Sequence, residues 1–398
     1  MRRISLASWV LIAIAAGLFV GFVFPDAARH FEIATSIFLR LIRSVIAPVL
    51  FGVLVSAAGR ARSANEFGSL ALRAVIYFEL VTASALLIGW VAVAIAKPGS
   101  SFHYVASAAA ATAPPVTDLI TAAFPTSILD AMARGDILQI VLFTSLFAAA
   151  CTAIGERSRA VTRFAEALTA VSFQYTRYIM YLAPLAVFAS IANTLAQNGA
   201  TALGGLANFV VTAWMAQVFF ALLVFGGSLW FARIPLLRFL EHAEAPVLVG
   251  FATTSSAAAL PQTLESLQAM GVPPRVVGIV TPLSLSLNMT GSCVHLAMGA
   301  MFAAQTAGLA LTLPQQLAIL GVLKLTSKGV AGIPRANLVI LSGLFATFHL
   351  PAEVLPVLLG VDALIDPVRT SVNVLGHFVA APVIARLDRG SASAPLSA

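Results

Sequence analysis

Two long stretches without a charged side chain constrain this chain more than any other feature. Neither residues 178–232 nor residues 276–323 contain an Asp, Glu, Lys or Arg. Each stretch is much longer than the about 20 apolar residues that one helix needs to cross a bilayer. Each must therefore contain two spans, or one span and a re-entrant piece. No strand-like alternation accompanies them, so we expect helices rather than a barrel to satisfy the backbone.

Composition agrees with a protein that crosses the membrane many times. The chain has 398 residues, of which 60% are hydrophobic and 10% charged, and its mean hydropathy is +0.96. Soluble domains carry about 25% charged residues. The net charge of +7 comes from basic residues scattered at the ends of apolar segments, as loop anchors are. We therefore expect lipid and not nucleic acid as a partner. The two cysteines lie in apolar segments and predict no disulfide framework.

The order of apolar and basic segments predicts the topology. The run 4–24 follows two arginines and has spanning length, so it is interpreted as a retained first helix and not as a signal peptide. Further helices are expected at about 31–58, 70–96, 164–196 and 203–232, with a linker at 98–117 and broken helices over 118–154. Arg-rich segments at the N-terminus and after the even-numbered helices place both termini in the cytoplasm, in a cell inner membrane.

Polar residues line one face of the last apolar segment. They are spaced four, three, four and four residues apart, which at about 100° per residue keeps them on one side of a helix, with Thr370 at the margin. They are Asp362, Asp366, Arg369, Asn373 and His377. A charged side chain at the bilayer centre costs at least about 2.5–3.5 kcal/mol. The stripe is either a ligand or ion site, which we favour, or an Asp366–Arg369 pair that only holds helices together.

Two short segments rich in small residues interrupt the last third of the chain. They cover 251–261 and 326–335, and each has a proline at its predicted tip. Each is followed by an apolar helix with a polar middle, first at 287–292 and then at the stripe. Paired, interrupted hydrophobic segments point to a transporter site built from inverted repeats. Kinked packing helices, the alternative, explain the prolines but not the polar residues at the same depth.

Five motifs are spread over nearly the whole length of the chain. They are Phe38-Leu-Arg-Leu-Ile-Arg43 with Pro48, Gly135-Asp-Ile-Leu-Gln139, Leu182-Ala-Pro-Leu-Ala-Val-Phe188, Ser327-Lys-Gly-Val-Ala-Gly-Ile-Pro334 and Asp366-x-x-Arg-Thr-x-x-Asn373. Together they resemble the dicarboxylate/amino acid:cation symporter family, the glutamate transporter homologues. The resemblance implies an all-α unit of eight transmembrane helices and two re-entrant helical hairpins, a homotrimer and an elevator mechanism. A scaffold of about 1–65 and 115–200 would stay fixed. A transport part of about 66–100 and 201–388 would move, and 389–398 would form a cytoplasmic tail.

The same resemblance implies roles for individual residues. Arg369 would clamp a substrate carboxylate, to which a guanidinium is well matched, and Asp366 would receive an α-amino group. The other implied substrate contacts are Asn373, Thr370, Ser255, Ser256, Ser292 and the backbone near Ile333 in the second hairpin.

The chain departs from the family at two sodium ligands. The family motif Asn-Met-Asp-Gly-Thr is here Asn288-Met-Thr-Gly-Ser292, so Thr290 replaces one carboxylate, and His377 replaces another. Sodium is a hard cation that prefers oxygen ligands, and a histidine ring supplies none. A third sodium site, at backbone carbonyls near Ser284, Ser286 and Ser327, could survive.

The coupling cation therefore stays open between proton and sodium. The predicted coupling set consists of Asn288, Thr290, Asp362, His377, Glu79 and Thr82. An intramembrane Glu or His can carry a proton. Glu79 is interpreted either as such a carrier or as a structural hydrogen-bonding group, whereas His295 is interpreted as a satisfied core histidine.

Arg335, directly after the second hairpin proline, has two interpretations. As a solvated anchor it leaves Asp366 free to bind an amino group, which favours aspartate or glutamate as substrate. If it reaches the substrate site and pairs with Asp366, a plain C4-dicarboxylate is favoured.

The sequence as a whole predicts a cation-coupled symporter that imports a small carboxylated solute, with no cofactor beyond the coupling cation. An anion channel and a solute-binding membrane sensor are the alternatives on the same fold. An enzyme is not expected, because Ser255 and Ser256 have no histidine near them in sequence and no oxyanion motif.

Overall fold

The computed structural model describes residues 6–64, 68–101, 124–199, 201–329 and 336–389, and these residues form helices and turns without a strand. In chain order the helices are α1 (Leu6–Val23), α2 (Pro25–Ala28), α3 (Glu32–Ala64), α4 (Gly68–Ala96), α5 (Ile128–Arg134), α6 (Ile137–Ile154), α7 (Arg159–Met180), α8 (Ala183–Asn198), α9 (Thr201–Phe220), α10 (Gly226–Phe231), α11 (Leu236–Thr253), α12 (Ser256–Ala269), α13 (Pro274–Leu287), α14 (Thr290–Thr306), α15 (Leu313–Thr326), α16 (Ala336–Thr347) and α17 (Val354–Arg389). The predicted all-helical class is confirmed.

Several of these helices are long and apolar enough to cross a membrane. Within the described residues four stretches qualify: Ser69–Ala96, Leu203–Phe231, Pro274–Thr306 and Val354–Asp388. Two further helices are bent by 52° where they meet near residues 180–183, and they form a fifth stretch if the pair is counted as one span. The chain is therefore polytopic, while the total of eight spans and two re-entrant hairpins stays a prediction.

Two predicted interruptions have different outcomes. The break within 118–154 is confirmed, because α5 ends at Gly135, whose φ is 71°, and Asp136 caps α6 by accepting from the Gln139 N–H at 3.2 Å. The single helix expected at 164–196 is wrong. It is divided into α7 and α8, and Pro184 lies in the first turn of α8. A proline is tolerated there because its missing N–H has no partner in the first turn.

Helix packing forms two groups. In the first, α1 packs on α8, and α3 packs on α6, α7 and α8. In the second, α4 packs on α14, and α17 packs on α9, α11, α12, α13 and α14. The two groups meet chiefly where α8 lies against α17. Whether these groups correspond to the predicted scaffold and transport part, and whether one moves against the other, remains a prediction.

The two interrupted segments differ in how much of each the structure describes. In the first, α11 and α12 pack against each other, and the chain reverses at Thr254, whose φ is 50°, and Ser255, which caps α12. The tip predicted at Pro261 is wrong, since Pro261 lies inside α12. In the second, α15 continues into a 3-10 turn at Ser327–Gly329. The predicted tip with Ile333 and Arg335 lies outside the described residues.

The α4–α14 contact depends on Gly89. A Cβ atom added there would lie 2.3 Å from the carbonyl oxygen of Val294. We expect Gly89→Ala to lower stability in detergent by about 1–3 kcal/mol, because the helices must move apart. Thermal unfolding of the purified protein measures this. Gly204→Ala is the matched control, since a Cβ there meets nothing within 4 Å. Equal melting temperatures for the two variants would contradict the close contact.

Candidate functional site

The centre of α17 carries a buried charge cluster. Arg369 donates through Nη1 to Oδ1 of Asp362 at 2.5 Å and through Nη2 to Oδ1 of Asp366 at 2.6 Å. The side chains of Arg369 and Asp362 are 4% and 1% exposed. Charge-assisted hydrogen bonds of this kind are about twice as strong as neutral ones. Two carboxylates and one guanidinium leave the cluster, here called the α17 triad, with a net charge of −1.

Asp366 is the most accessible member of the triad. Its side chain is 19% exposed, and its Oδ1 also accepts from the Thr370 hydroxyl at 3.2 Å. The Asp366–Arg369 pair that the sequence offered as one alternative is thus present. A ligand carboxylate that binds Arg369 has to compete with both aspartates for its N–H groups.

Next to the triad, three helices meet at Ser292 of α14. Asn373 of α17 accepts from the Ser292 N–H and donates to the Ser292 hydroxyl, both at 3.2 Å. Asn337 of α16 donates to the Ser292 carbonyl at 3.5 Å. The predicted substrate residues Asn373 and Ser292 are therefore brought together. Asn337 was missed, although a lone asparagine in the apolar helix after the second hairpin is a signal that could have identified it.

Three of the predicted coupling residues, Asn288, Thr290 and His377, lie around the break between α13 and α14. Asn288 donates to Ser284 Oγ at 3.3 Å and to the Gly376 carbonyl at 3.2 Å, and Ser284 Oγ is 3.0 Å from Nδ1 of His377. Within the described residues, Oδ1 of Asn288, Oγ1 of Thr290 and Nε2 of His377 are buried without a hydrogen-bond partner. The break is thus polar, but it lacks the carboxylates found in the family pattern.

A second charge cluster joins α4 to the end of α15 and to the 3-10 turn that follows it. Glu79 of α4 pairs with Lys328 at 2.7 Å and with Lys324 at 3.3 Å. Lys328 also donates to the carbonyl of Leu287, the last residue of α13, at 3.2 Å. The carbonyl end of a helix attracts cations, and an ammonium group occupies it here. The two ion pairs support the structural interpretation of Glu79. Thr82 donates to the Phe78 carbonyl within its own helix at 2.7 Å.

His295 differs from its prediction. Its ring is fully buried in α14, with Nε2 at 3.8 Å from Oδ1 of Asp362. Neither ring nitrogen has a hydrogen-bond partner among the described residues. Phe209 of α9 packs near it, with ring centroids 6.1 Å apart. The interpretation as a satisfied core histidine is wrong for the part of the chain that the structure describes, because the ring is buried there and neither nitrogen makes a hydrogen bond.

The remaining predicted residues lie on elements that border this region. Ser255 accepts from the Ala258 N–H at 3.3 Å, and Ser256 is buried at the start of α12, which packs on α17. Ser286 is half-buried in α13, and Ser327 Oγ donates to the Lys324 carbonyl at 2.8 Å. Ile333 and Arg335 lie outside the described residues.

The fold and the site define a polytopic membrane protein with a carboxylate-and-guanidinium site buried between its spans. The chain matches the sodium:dicarboxylate symporter family over residues 6–387. It is 34% identical over 389 residues to C4-dicarboxylate transport protein 3 of Ralstonia nicotianae, covering 95% of this chain and 87% of the relative. It is 30% identical over 402 residues to the proton/sodium-glutamate symport protein of Geobacillus stearothermophilus, covering 98% and 96%.

A third relative, the C4-dicarboxylate transport protein of Anaeromyxobacter sp. (strain K), is 32% identical over 414 residues, covering 100% of this chain and 94% of the relative. The chain therefore belongs to the sodium:dicarboxylate symporter family. It is a membrane transporter and not an enzyme, and the family supports a coupling cation and a carboxylate substrate.

The Glu79 cluster allows a direct test of its structural role. We expect Glu79→Gln to lower the melting temperature, because two lysine charges lose their partner. Glu79→Gln combined with Lys328→Gln should recover part of that loss. In a double-mutant cycle, residues in one ion-pair network show interaction energies of about 0.5–3 kcal/mol.

The measurement is thermal unfolding of the four proteins of the cycle. Glu166→Gln, on the predicted scaffold helix α7, controls for loss of a carboxylate elsewhere. Additive effects of the two substitutions would show that the pairs contribute nothing to stability.

Proposed function

We propose that the chain is a cation-coupled secondary active transporter that imports a small dicarboxylate by an elevator mechanism. The observation that carries the proposal is Arg369, buried in α17 between Asp362 and Asp366. A planar guanidinium with several N–H donors is suited to bind a carboxylate. Ionisable residues buried in a membrane span are costly and mark ligand pathways.

The arrangement around Asp366 favours a C4-dicarboxylate over an amino acid. Its Oδ1 already accepts from Arg369 and Thr370, so the carboxylate that would receive an amino group is engaged by the protein itself. Two of the relatives described above are named as C4-dicarboxylate transporters. An acidic amino acid such as glutamate or aspartate is the second candidate, supported by the partial exposure of Asp366.

In this proposal the substrate replaces contacts that the protein makes with itself. One substrate carboxylate would accept hydrogen bonds from Arg369. The other would bind Thr370 and the Asn373 amide, which in the structure is hydrogen-bonded to Ser292. Ser255 and Ser256 contribute from the first hairpin and the backbone near Ile333 from the second. If Arg335 reaches the substrate and pairs with Asp366, it favours the dicarboxylate further, whereas as a solvated anchor it leaves that choice to Asp366.

For the coupling cation we favour the proton over sodium. Thr290 and His377 supply no carboxylate, and the Lys328 ammonium binds the Leu287 carbonyl at the end of α13. The sodium alternative keeps Asn288 and the carbonyls near Ser284, Ser286 and Ser327 as its ligands.

The elevator proposal takes its support from the two packing groups. Residues 1–65 and 115–200 would form the trimerising scaffold, and residues 66–100 and 201–388 would carry the substrate. The unit would have eight spans and two re-entrant hairpins in the inner membrane of the cell. Both termini, including the tail 389–398, would lie in the cytoplasm.

Transport by purified protein in liposomes tests the function. With the membrane potential held at zero, we expect radiolabelled succinate to accumulate under a pH gradient, acidic outside, and not under a sodium gradient alone. Accumulation driven by sodium alone would reassign the cation. Currents without substrate would instead indicate an anion channel, and binding without accumulation would indicate a sensor.

Substitution of Asp366 separates the two substrate classes. We expect Asp366→Asn to keep or tighten succinate binding, because one competitor for Arg369 is weakened. L-aspartate binding, if present, should weaken about tenfold or more, since a charge-assisted hydrogen bond contributes about 1.5–3 kcal/mol.

Competition of each compound against labelled succinate gives both affinities. Asp130→Asn is the matched control, because Asp130 pairs with Arg134 on the exposed helix α5. Strong loss of succinate binding with unchanged L-aspartate binding would contradict the assignment of Asp366.

A further inference from the structure

His295 is a buried polar group that the substrate contacts leave unused. It lies on α14, is fully buried, and has two ring nitrogens without a hydrogen-bond partner among the described residues. Buried polar groups are paired in the large majority of cases, so an exception calls for an explanation. Its Nε2 is 3.8 Å from Oδ1 of Asp362, the carboxylate that holds the substrate-binding arginine.

The charges around His295 come from α17. Asp362 and Arg369 are the charged groups that act on its ring. The helix α9 contributes the aromatic ring of Phe209. The charges of α4 and of the end of α15 with the turn that follows it, namely Glu79, Lys324 and Lys328, pair with one another. The carboxylate of Asp362 is therefore the counter-ion available to a protonated His295.

We propose that His295, with Asp362 as counter-ion, is the binding site of the coupling proton; this rests on the proposed symport function. In the structure Arg369 neutralises Asp362. When a substrate carboxylate binds Arg369, the guanidinium compensates less of the negative charge of Asp362, which stays buried. A proton on the His295 ring restores a positive charge beside it. An approach of about 1 Å brings Nε2 and Oδ1 to hydrogen-bond distance.

The charge balance explains why substrate and proton bind together. The α17 triad carries a net charge of −1, and a dicarboxylate adds two negative charges, so one proton offsets part of the excess. Binding of each ligand then favours the other by the same factor, because coupling free energy is reciprocal. The proton binds a nitrogen lone pair from the outer solution and leaves to the inner solution after the substrate. Only an N–H bond is formed and broken.

Succinate transport by a His295→Gln variant in liposomes tests the proposal. Two modes are measured with the membrane potential held at zero: exchange of labelled for unlabelled succinate at equal pH, and net accumulation under a pH gradient. We expect the variant to keep exchange and to lose accumulation, which in wild type is about tenfold per pH unit for one coupled proton. His30→Gln, an exposed histidine near the start of the chain, is the matched control.

A binding measurement decides the case in which the variant does not transport. In detergent, wild-type affinity for succinate should rise up to about tenfold per unit decrease in pH. The succinate affinity of His295→Gln should not depend on pH in this way. If that variant does not fold, His295→Phe replaces it with the same expected result. Retained accumulation or a retained pH-dependent affinity in the variants would overturn the proposal. If wild type accumulates succinate only with sodium, the proton site at His295 is overturned but symport is not. If wild type accumulates no succinate at all, the proposed function itself is overturned.

Discussion

The buried ion bridge from Arg369 to Asp362 and Asp366 is the interaction on which the rest of the structure depends. Taking these charges out of water is costly, and removal of one partner from such a bridge typically costs about 3–5 kcal/mol because a charge is left uncompensated. The surrounding helices bury the two ends of the bridge unequally. Asp362 is 1% exposed and Asp366 is 19% exposed, so in the proposed function the Asp366 end is the one that a ligand reaches.

The contact between α14 and α17 sets what the bridge can do. A Cβ atom added at Gly291 would lie 2.3 Å from the Arg369 carbonyl, so this glycine allows the two backbones to touch at the height of the arginine. The hydrogen bonds between Asn373 and Ser292, one turn beyond Arg369 on α17, then fix how the two helices are aligned. In that register His295, three residues beyond Ser292 on α14, lies beside Asp362. The substrate site and the proposed proton site are thus consequences of one helix contact.

Much of this arrangement was predictable because it follows from periodicity within one helix. The polar stripe of α17 and the pairing of Asp366 with Arg369 follow from its 3.6-residue period. Contacts between distant segments were not predictable. Nothing local indicates that Lys328 reaches the end of α13 or that the His295 nitrogens stay unpaired. The hairpin tip was misplaced because Pro261 was taken as a turn signal, whereas the capping residue Ser255, six positions earlier, begins the helix.

The position of Lys328 bears on the coupling cation independently of His295. The carbonyl end of α13 carries partial negative charge, which a mobile sodium ion could neutralise. A tethered ammonium neutralises it without entering or leaving the membrane, and Glu79 fixes that ammonium to α4. A cation that cannot leave cannot drive transport. In the proposed symporter, a lysine at this helix end, with Thr290 and His377 in place of the carboxylates of the family pattern, moves the coupling role to another group that can gain and lose charge. Among the buried groups that the structure describes beside the α17 triad, the imidazole of His295 meets that requirement, because it lies 3.8 Å from Asp362 and has no hydrogen-bond partner there.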